Sequence, residues 1–232
     1  YPSYFDYRTY SRAAGMRQYP VDLEADFSLS AEKILETAHR EKASLIVLCN
    51  PNNPTGNLLE EKAVEQIIAE APCAVLVDEA YYEFSDVTVV DWIHRYNNLA
   101  VLRSFSKGFF AAGLRFGYLL AAPEFIYEIN KVRMAFNSGI WTQALALVLL
   151  RRQSEIGNLR QQLISERCKL LQKMQEIEGV TVFPSYTNFL LFQIPKKAES
   201  VHKKLEKRGI SVRNVSNRFL QDSLRVTVDL PE

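Results

Sequence analysis

The 232-residue sequence lacks the features that would place it in several broad protein classes. Its 28 Lys+Arg and 27 Asp+Glu give a formal net charge of +1, so the basic surplus typical of nucleic-acid-binding proteins is missing. No apolar run reaches the roughly 18 residues that a membrane-spanning helix requires. With 47% hydrophobic residues, the chain also lacks the composition of a disordered protein. We therefore expect a folded protein that binds neither nucleic acid nor membrane.

Cysteine, histidine and glycine are sparse. The three cysteines form no C-x-x-C pair and each lies in an apolar segment, which predicts buried free thiols and a reducing, cytoplasmic location. The three histidines are scattered without the short spacings of a metal site, so no bound metal is expected. The nine glycines form no glycine-rich cluster. These residues are Cys49, Cys73 and Cys168, and His39, His94 and His202.

The first half of the chain alternates short apolar runs with amphipathic stretches. The runs at 45–49, 74–77 and 99–102 are rich in β-branched residues and predict strands buried on both faces, as in a parallel sheet. Ser30 is predicted to cap a helix. Asn57 and Glu60 resemble a capping box that opens a second helix. Strands that alternate with helices predict an α/β fold with a mostly parallel sheet and helices on both faces.

The pattern changes near Ser138. A nearly all-apolar stretch at 140–150 predicts a buried helix, and an amphipathic stretch at 156–177 predicts a longer one. Further strands are predicted at 180–183, 188–194, 210–213 and 223–229, with a helix at 198–208. This order suggests a smaller α+β unit, so we expect a large domain at 1–140 and a small domain at 141–232.

Each predicted strand of the first half ends in a polar cluster. The clusters are Asn-Pro-Asn-Asn-Pro-Thr-Gly at 50–56, Asp-Glu-Ala-Tyr at 78–81 and Arg-Ser-Phe-Ser-Lys at 103–107. Ligands of open α/β sheets bind outside the carboxyl ends of the strands. Taken singly, each cluster is also explained as a turn, a helix cap or an ordinary loop. Together and in this order, they predict one ligand site.

These clusters, with Gly-Leu-Arg-Phe-Gly at 113–117, resemble the fold-type-I aminotransferases that depend on pyridoxal phosphate (PLP). Pro-Ser-Tyr at 2–4 and Leu-Arg-Val-Thr-Val at 224–228 fit the same family, so the resemblance covers essentially the whole chain. It implies a PLP-binding α/β large domain, a small α+β domain and a homodimer. It also implies transfer of an amino group from a phosphorylated amine or an amino acid to 2-oxoglutarate. The apolar segment 109–112 and Trp141 are candidates for packing between domains or subunits, with ordinary core as the alternative.

The resemblance implies a role in cofactor chemistry for five residues. Lys107 matches the lysine that bonds to the cofactor aldehyde and later moves a proton, and Asp78 matches the partner of the pyridinium nitrogen. Asn53 and Tyr81 match the residues that hydrogen-bond the phenolic oxygen of the ring. Tyr4 matches the aromatic residue that stacks on the ring face, although a buried structural tyrosine is the alternative.

Five further residues match phosphate or substrate ligands. Ser104, Ser106 and Arg115 match the groups that bind the cofactor phosphate. Arg225, together with Asn53, matches the group that binds the substrate α-carboxylate, and Arg213 matches an arginine near the distal end of the substrate. For Arg213 and Arg225, ordinary strand positions remain the alternative, as does a surface lysine for Lys107.

Two departures from the family pattern leave the activity open. The family's glycine-rich phosphate loop is not in the sequence, and we expect it upstream of Tyr1 in a chain that is incomplete at both ends. Ala135 stands where relatives often have proline. The sequence is therefore also compatible with a PLP-dependent decarboxylase of phosphorylated threonine, or with a non-catalytic chain that retains the fold.

Overall fold

A computed structural model describes residues 1–230, which form two four-stranded sheets with seven α-helices. The first sheet contains β1 (Leu45–Cys49), β2 (Ala74–Asp78), β3 (Leu99–Ser104) and β4 (Gly117–Ala121), in that spatial order. Strands β1, β2 and β3 are parallel, and β4 pairs with β3 in the antiparallel direction. The predicted α/β class with a mostly parallel sheet is confirmed, whereas the antiparallel strand β4 was not anticipated.

Strands β1, β2 and β3 are continuous apolar runs and each contains buried residues, whereas β4 contains none. Val75, Val77, Leu99 and Val101 are completely inaccessible to solvent and belong to one core cluster. The helices of this half are α1 (Asp6–Ala13), α2 (Ala31–Arg40) and α3 (Glu61–Glu70). Helices α2 and α3 contribute the apolar faces that complete the cluster.

The two predicted helix caps have different outcomes. The Ser30 hydroxyl accepts a hydrogen bond from the Lys33 backbone N–H at 3.2 Å, so the cap of α2 is confirmed. The prediction of a capping box at α3 is wrong. The residue before this helix is Glu60, and its side chain makes no capping hydrogen bond. The Asn57 amide instead donates to the carbonyls of Phe27 and Leu58. Asn57 thus anchors a loop rather than a helix terminus.

The second half contains α4 (Pro123–Val132), α5 (Ile140–Arg151), α6 (Gln153–Gln175) and α7 (Ala198–Glu206). Its antiparallel sheet has the order β5-β6-β8-β7, and all three pairings are antiparallel. The strands are β5 (Thr181–Val182), β6 (Phe189–Gln193), β7 (Arg213–Asn214) and β8 (Ser223–Thr227). The element order agrees with the sequence prediction, but all four strands are shorter than expected, and β7 begins where the predicted strand 210–213 ends. The last two residues of the predicted small domain, 231–232, lie outside the described part of the chain.

Two burial predictions are wrong. Helix α5 is largely exposed: only Ala146 is buried, and Ile140 and Trp141 are 77% and 80% accessible. An all-apolar helix was expected in the core, but no element of residues 1–230 covers this face. Cys168 is exposed and Cys73 half-buried, so of the three free cysteines only Cys49 is buried as predicted.

Side chains from the first half also pack into the second core. Tyr81 and Phe84 belong to the same cluster as Phe189 of β6 and Leu163 of α6. Gly56 has a left-handed φ of +78°, and a Cβ there would lie 2.7 Å from the Ser185 hydroxyl oxygen. Its carbonyl accepts a hydrogen bond from the Tyr186 N–H at 2.8 Å. A glycine therefore allows the turn after β1 to approach the loop before β6. No helix within the described residues is long and apolar enough to cross a membrane.

Candidate active site

Parallel pairing brings three polar clusters to one edge of the first sheet. Cys49 at the end of β1 lies opposite Asp78 at the end of β2, and Asp78 lies opposite Leu102 of β3. Asn53 follows β1, while Ser106 and Lys107 follow β3. The carboxyl ends of these strands thus present an amide, a carboxylate and an amine at one side of the sheet.

Asp78 is a buried carboxylate, only 6% accessible, with a donor on each oxygen. The Ala80 N–H donates to Oδ1 at 3.0 Å, and the Tyr7 hydroxyl donates to Oδ2 at 2.5 Å. Burial raises the pKa of Asp78, while the hydrogen bonds from Tyr7 and Ala80 lower it. No ion pair involves Asp78 within residues 1–230, so these donors are its main stabilisation as an anion.

Lys107 is half-buried and lies among positive charges. Its Nζ is 5.7 Å from the centre of the Tyr81 ring. Burial lowers the pKa of the Lys107 amine, and the charges of Arg225 and Arg115 lower it further. A lowered pKa increases the fraction of neutral amine near neutral pH, which is the nucleophilic and proton-accepting form.

The guanidinium of Arg225 contacts residues from both halves of the chain, and one of its buried N–H groups is unpaired within the described residues. Its Nη1 donates to Asn53 Oδ1 at 2.7 Å, and its guanidinium carbon lies 4.6 Å from the centre of the Phe189 ring. Among residues 1–230, its buried Nε has no hydrogen-bond partner. A buried, unpaired guanidinium N–H is costly, so this group is suited to an anionic ligand.

A cavity of about 850 Å³ brings together the three residues predicted to meet the substrate and one residue, Tyr4, predicted to meet the cofactor ring. Tyr4, Asn53, Arg213 and Arg225 all contribute to its wall. The Arg213 side chain is exposed, with its guanidinium carbon 4.6 Å from the centre of the Phe5 ring. The Tyr4 hydroxyl donates to Asp6 Oδ2 at 2.6 Å, so Tyr4 is fixed at the start of α1. The cavity wall is thus aromatic and cationic.

The three residues predicted to bind the cofactor phosphate do not form one hydrogen-bonded group within the described residues. Ser104 Oγ accepts a hydrogen bond from the Ser106 N–H at 3.0 Å, in the turn that leads to Lys107. Arg115 is exposed and donates to the Ala112 carbonyl at 3.0 Å. Among the described residues, no hydrogen bond joins Arg115 to either serine. Tyr81, by contrast, is buried beside Phe189, and burial raises the pKa of its phenol while Arg225 lowers it.

Two residues of this region were missed by sequence reasoning. Tyr7 contacts Asp78 from 71 residues away, and the only signal is an aromatic-rich segment around Tyr4. Glu83 is 7% accessible, and its Oε2 has no hydrogen-bond partner in the part of the chain that the structure describes. It packs against Gly108, where an added Cβ would lie 2.4 Å from Glu83 Cβ. Burial raises the pKa of Glu83 to about 7. The described residues hold no group of His, Cys, Asp and Glu suited to a metal.

Comparisons with known proteins agree with this arrangement. The sequence profile of the family described as aminotransferase class I and II matches residues 1–232. Histidinol-phosphate aminotransferase of Caldanaerobacter subterraneus subsp. tengcongensis is 41% identical over 98% of the chain, and that of Ruminiclostridium cellulolyticum is 39% identical over 100%. The chain spans 65% of the length of each of these relatives.

A solved structure shows the same fold. Histidinol-phosphate aminotransferase from Sinorhizobium meliloti, in complex with pyridoxal-5'-phosphate, matches with a TM-score of 0.90 at 24% identity. The match covers 98% of the chain and 64% of that structure.

Proposed function

Since the chain belongs to the aminotransferase class I and II family, we propose that it is a PLP-dependent aminotransferase that moves an amino group from histidinol phosphate to 2-oxoglutarate, in histidine biosynthesis. The observation that carries this proposal is the site itself. A buried carboxylate and an amine with lowered pKa follow strand ends of the first sheet, and Arg225 of the second sheet donates a hydrogen bond to Asn53 at the same edge. The names of the relatives support the choice of substrate.

The residues present fit PLP. Asp78 offers a buried carboxylate to a protonated ring nitrogen, and Asn53 and Tyr81 offer an amide and a phenol to the ring oxygen. Tyr4 offers an aromatic face at the wall of the cavity. Ser104 and Ser106 offer hydroxyls to the phosphate, with Arg115 as the cation of the same group. When bound, PLP supplies an electron sink that stabilises negative charge at the substrate carbon that carries the amine.

Lys107 is the proton carrier of the proposed mechanism. Its neutral Nζ would hold the cofactor through a bond to the aldehyde carbon, and the lysine amine, once displaced by the substrate amine, would accept the proton from the substrate carbon. Burial and the nearby charges of Arg225 and Arg115 keep that Nζ neutral more often than in an exposed lysine. Asp78 holds the proton on the ring nitrogen, because an adjacent carboxylate favours the charged form of that nitrogen.

Arg225 orients the substrate. Arg225 lines the cavity, so its guanidinium would bind the anionic group next to the reacting carbon, which is the carboxylate of glutamate or the phosphate of the amine donor. The bond from Nη1 to Asn53 fixes the guanidinium plane, so the reacting C–H bond is held in one direction. Arg213, on the same cavity, is available to a second anionic group.

The test is a reconstitution of the purified chain with PLP. We expect a visible absorbance band that Lys107→Ala abolishes and that the exposed-lysine control Lys62→Ala retains. Glutamate should form from histidinol phosphate and 2-oxoglutarate. Carbon dioxide release from phosphothreonine without glutamate formation would instead favour the decarboxylase. A chain that binds PLP and turns over neither substrate would indicate the non-catalytic alternative.

We also propose that the protein is a homodimer. Helix α5 and the segment before it expose a continuous series of large apolar side chains, which are Val132, Met134, Phe136, Ile140, Trp141, Leu145 and Leu147. Exposed apolar areas of this kind mark interaction surfaces. A second copy of the chain is the partner that fits an apolar rather than a charged surface.

Two further proposals concern organisation and location. Residues 1–140 are proposed to form the cofactor-binding domain and residues 141–232 the small domain, supported by the separate sheets of the two halves. The three free cysteines support a reducing compartment, and we propose the cytoplasm.

A further inference from the structure

The carboxylate of Asp78 is held from two directions by groups distant in sequence. The backbone N–H of Ala80, two residues on, binds Oδ1, and the hydroxyl of Tyr7 in α1 binds Oδ2. The first contact belongs to the turn after β2, whereas the second depends on how α1 packs over the strand ends. Of the two donors, only Tyr7 can be removed by changing a side chain.

The surroundings of Asp78 make this hydroxyl significant. The other titratable groups close to Asp78 are Cys49, Tyr4 and Tyr81. None of these groups is a cation, and burial raises the pKa of the Cys49 thiol to about 12, so this neighbour is neutral. The charge of Asp78 therefore depends on the two hydrogen bonds, since a buried carboxylate without donors is protonated or disordered.

We propose that Tyr7 is a positioning residue, whose hydroxyl fixes the Asp78 carboxylate that meets the ring nitrogen of PLP. The inference rests on the proposed function. Each carboxylate oxygen has two acceptor positions, so the hydroxyl and a ring N–H can bind the same carboxylate together. Tyr7 thus acts through Asp78 and does not have to leave when the cofactor enters.

Helix α1 is suited to this role because it carries a second cofactor residue at its start. Tyr4 and Tyr7 pack edge to face, with ring centres 5.3 Å apart and planes at 87°. Tyr4 is in turn fixed by its bond to Asp6. The same short segment therefore contains both the aromatic ring proposed to stack on the cofactor and the hydroxyl that binds Asp78. When this segment packs over the strand ends, both groups take their positions together.

The experiment compares Tyr7→Phe with Tyr10→Phe by titrating the cofactor-free proteins with PLP and following absorbance. Tyr7→Phe removes one hydroxyl and keeps the ring, so circular dichroism should show an unchanged fold. We expect its apparent affinity for PLP to fall about tenfold, the loss of one hydrogen bond to a charged group. Tyr10 is exposed on the same helix, and its variant should bind within about twofold of wild type.

A double-mutant cycle separates this role from a merely structural one. The Tyr7 hydroxyl also lies against the Cys49 thiol, but the proposed effect on PLP affinity runs through the carboxylate. In the Asp78→Asn background, Tyr7→Phe should therefore cause no further loss of affinity. An equal tenfold loss in that background would overturn the inference, as would tighter binding by Tyr7→Phe alone. If wild-type protein fails to bind PLP, the proposed function fails as well. If wild type binds and Tyr7→Phe matches it, only the role of Tyr7 fails.

Discussion

Arg225 combines two properties that surface arginines lack. Its guanidinium is anchored by Asn53 and the Phe189 ring, and its Nε is buried without a partner. The position of this residue was predictable from the Leu-Arg-Val-Thr-Val motif, because the motif places it on a strand. The unpaired Nε was not predictable, since it depends on which groups surround the side chain in three dimensions.

Arg225→Lys should preserve the charge and remove the planar fork. We expect the kcat/KM for 2-oxoglutarate to fall on the order of 100-fold, mainly through KM, because a lysine cannot bind Asn53 and an anion in the same geometry. Steady-state kinetics measure this, with Arg95→Lys at an exposed ion pair as the control. An unchanged KM for 2-oxoglutarate would contradict the assignment of Arg225.

Glu83 supplies a prediction about pH. Burial raises its pKa from 4.5 in the unfolded chain to about 7 in the folded one, partly offset by the charges of Arg160 and Arg103. Between pH 4.5 and pH 7, the Glu83 carboxyl loses its proton more readily in the unfolded chain than in the folded one. The free energy of unfolding therefore falls progressively as the pH rises from about 4.5 to 7. The lost stability amounts to about 3 kcal/mol.

Glu83→Gln should remove this dependence. Between pH 5 and pH 8, urea denaturation should show a smaller loss of stability for Glu83→Gln than for wild type. Glu178→Gln, at an exposed residue, should retain the wild-type profile. Parallel pH profiles for wild type and Glu83→Gln would show that the buried carboxyl is not the group responsible.

At the scale of elements, the sequence predicted those features that a local pattern determines. Strands β1, β2 and β3 were predicted because each is a continuous apolar run, and a run of this length has no exposed face. The order of elements in the second half followed from changes in periodicity. The exposure of α5 could not be predicted, because an apolar helix does not reveal what covers it. The predicted family is confirmed. That prediction was based on the polar residues at the strand ends and not on overall composition.

The cap of α2 can be tested directly. Ser30→Ala removes the acceptor for the Lys33 N–H and should lower the free energy of unfolding by about 1 kcal/mol. Ser154→Ala, on the exposed surface of α6, should cause no loss because alanine favours the helix. Chemical denaturation of the two variants under the same conditions gives the comparison. Equal stabilities for the two variants would indicate that the cap contributes little.

For the molecule as a whole, the most unusual feature is that α5 exposes large apolar side chains that a protein core would ordinarily bury. Trp141→Glu places a charge on this face, at a residue that is 80% accessible, and should shift sedimentation from twice the chain mass to the mass of one chain. Gln161→Glu, a similar charge change on exposed α6, should leave the dimer intact. A wild-type protein that sediments as a single chain at all concentrations would contradict the homodimer.

The bond between Arg225 and Asn53 also has a consequence for how the protein is made. The two residues are 172 positions apart, so a ribosome adding 5–20 residues per second needs roughly 10–35 s to travel from one codon to the other. During that interval the first sheet can be complete while Arg225, which we propose to orient the substrate, does not yet exist. The nascent chain therefore contains the residues proposed to anchor the cofactor well before it contains Arg225.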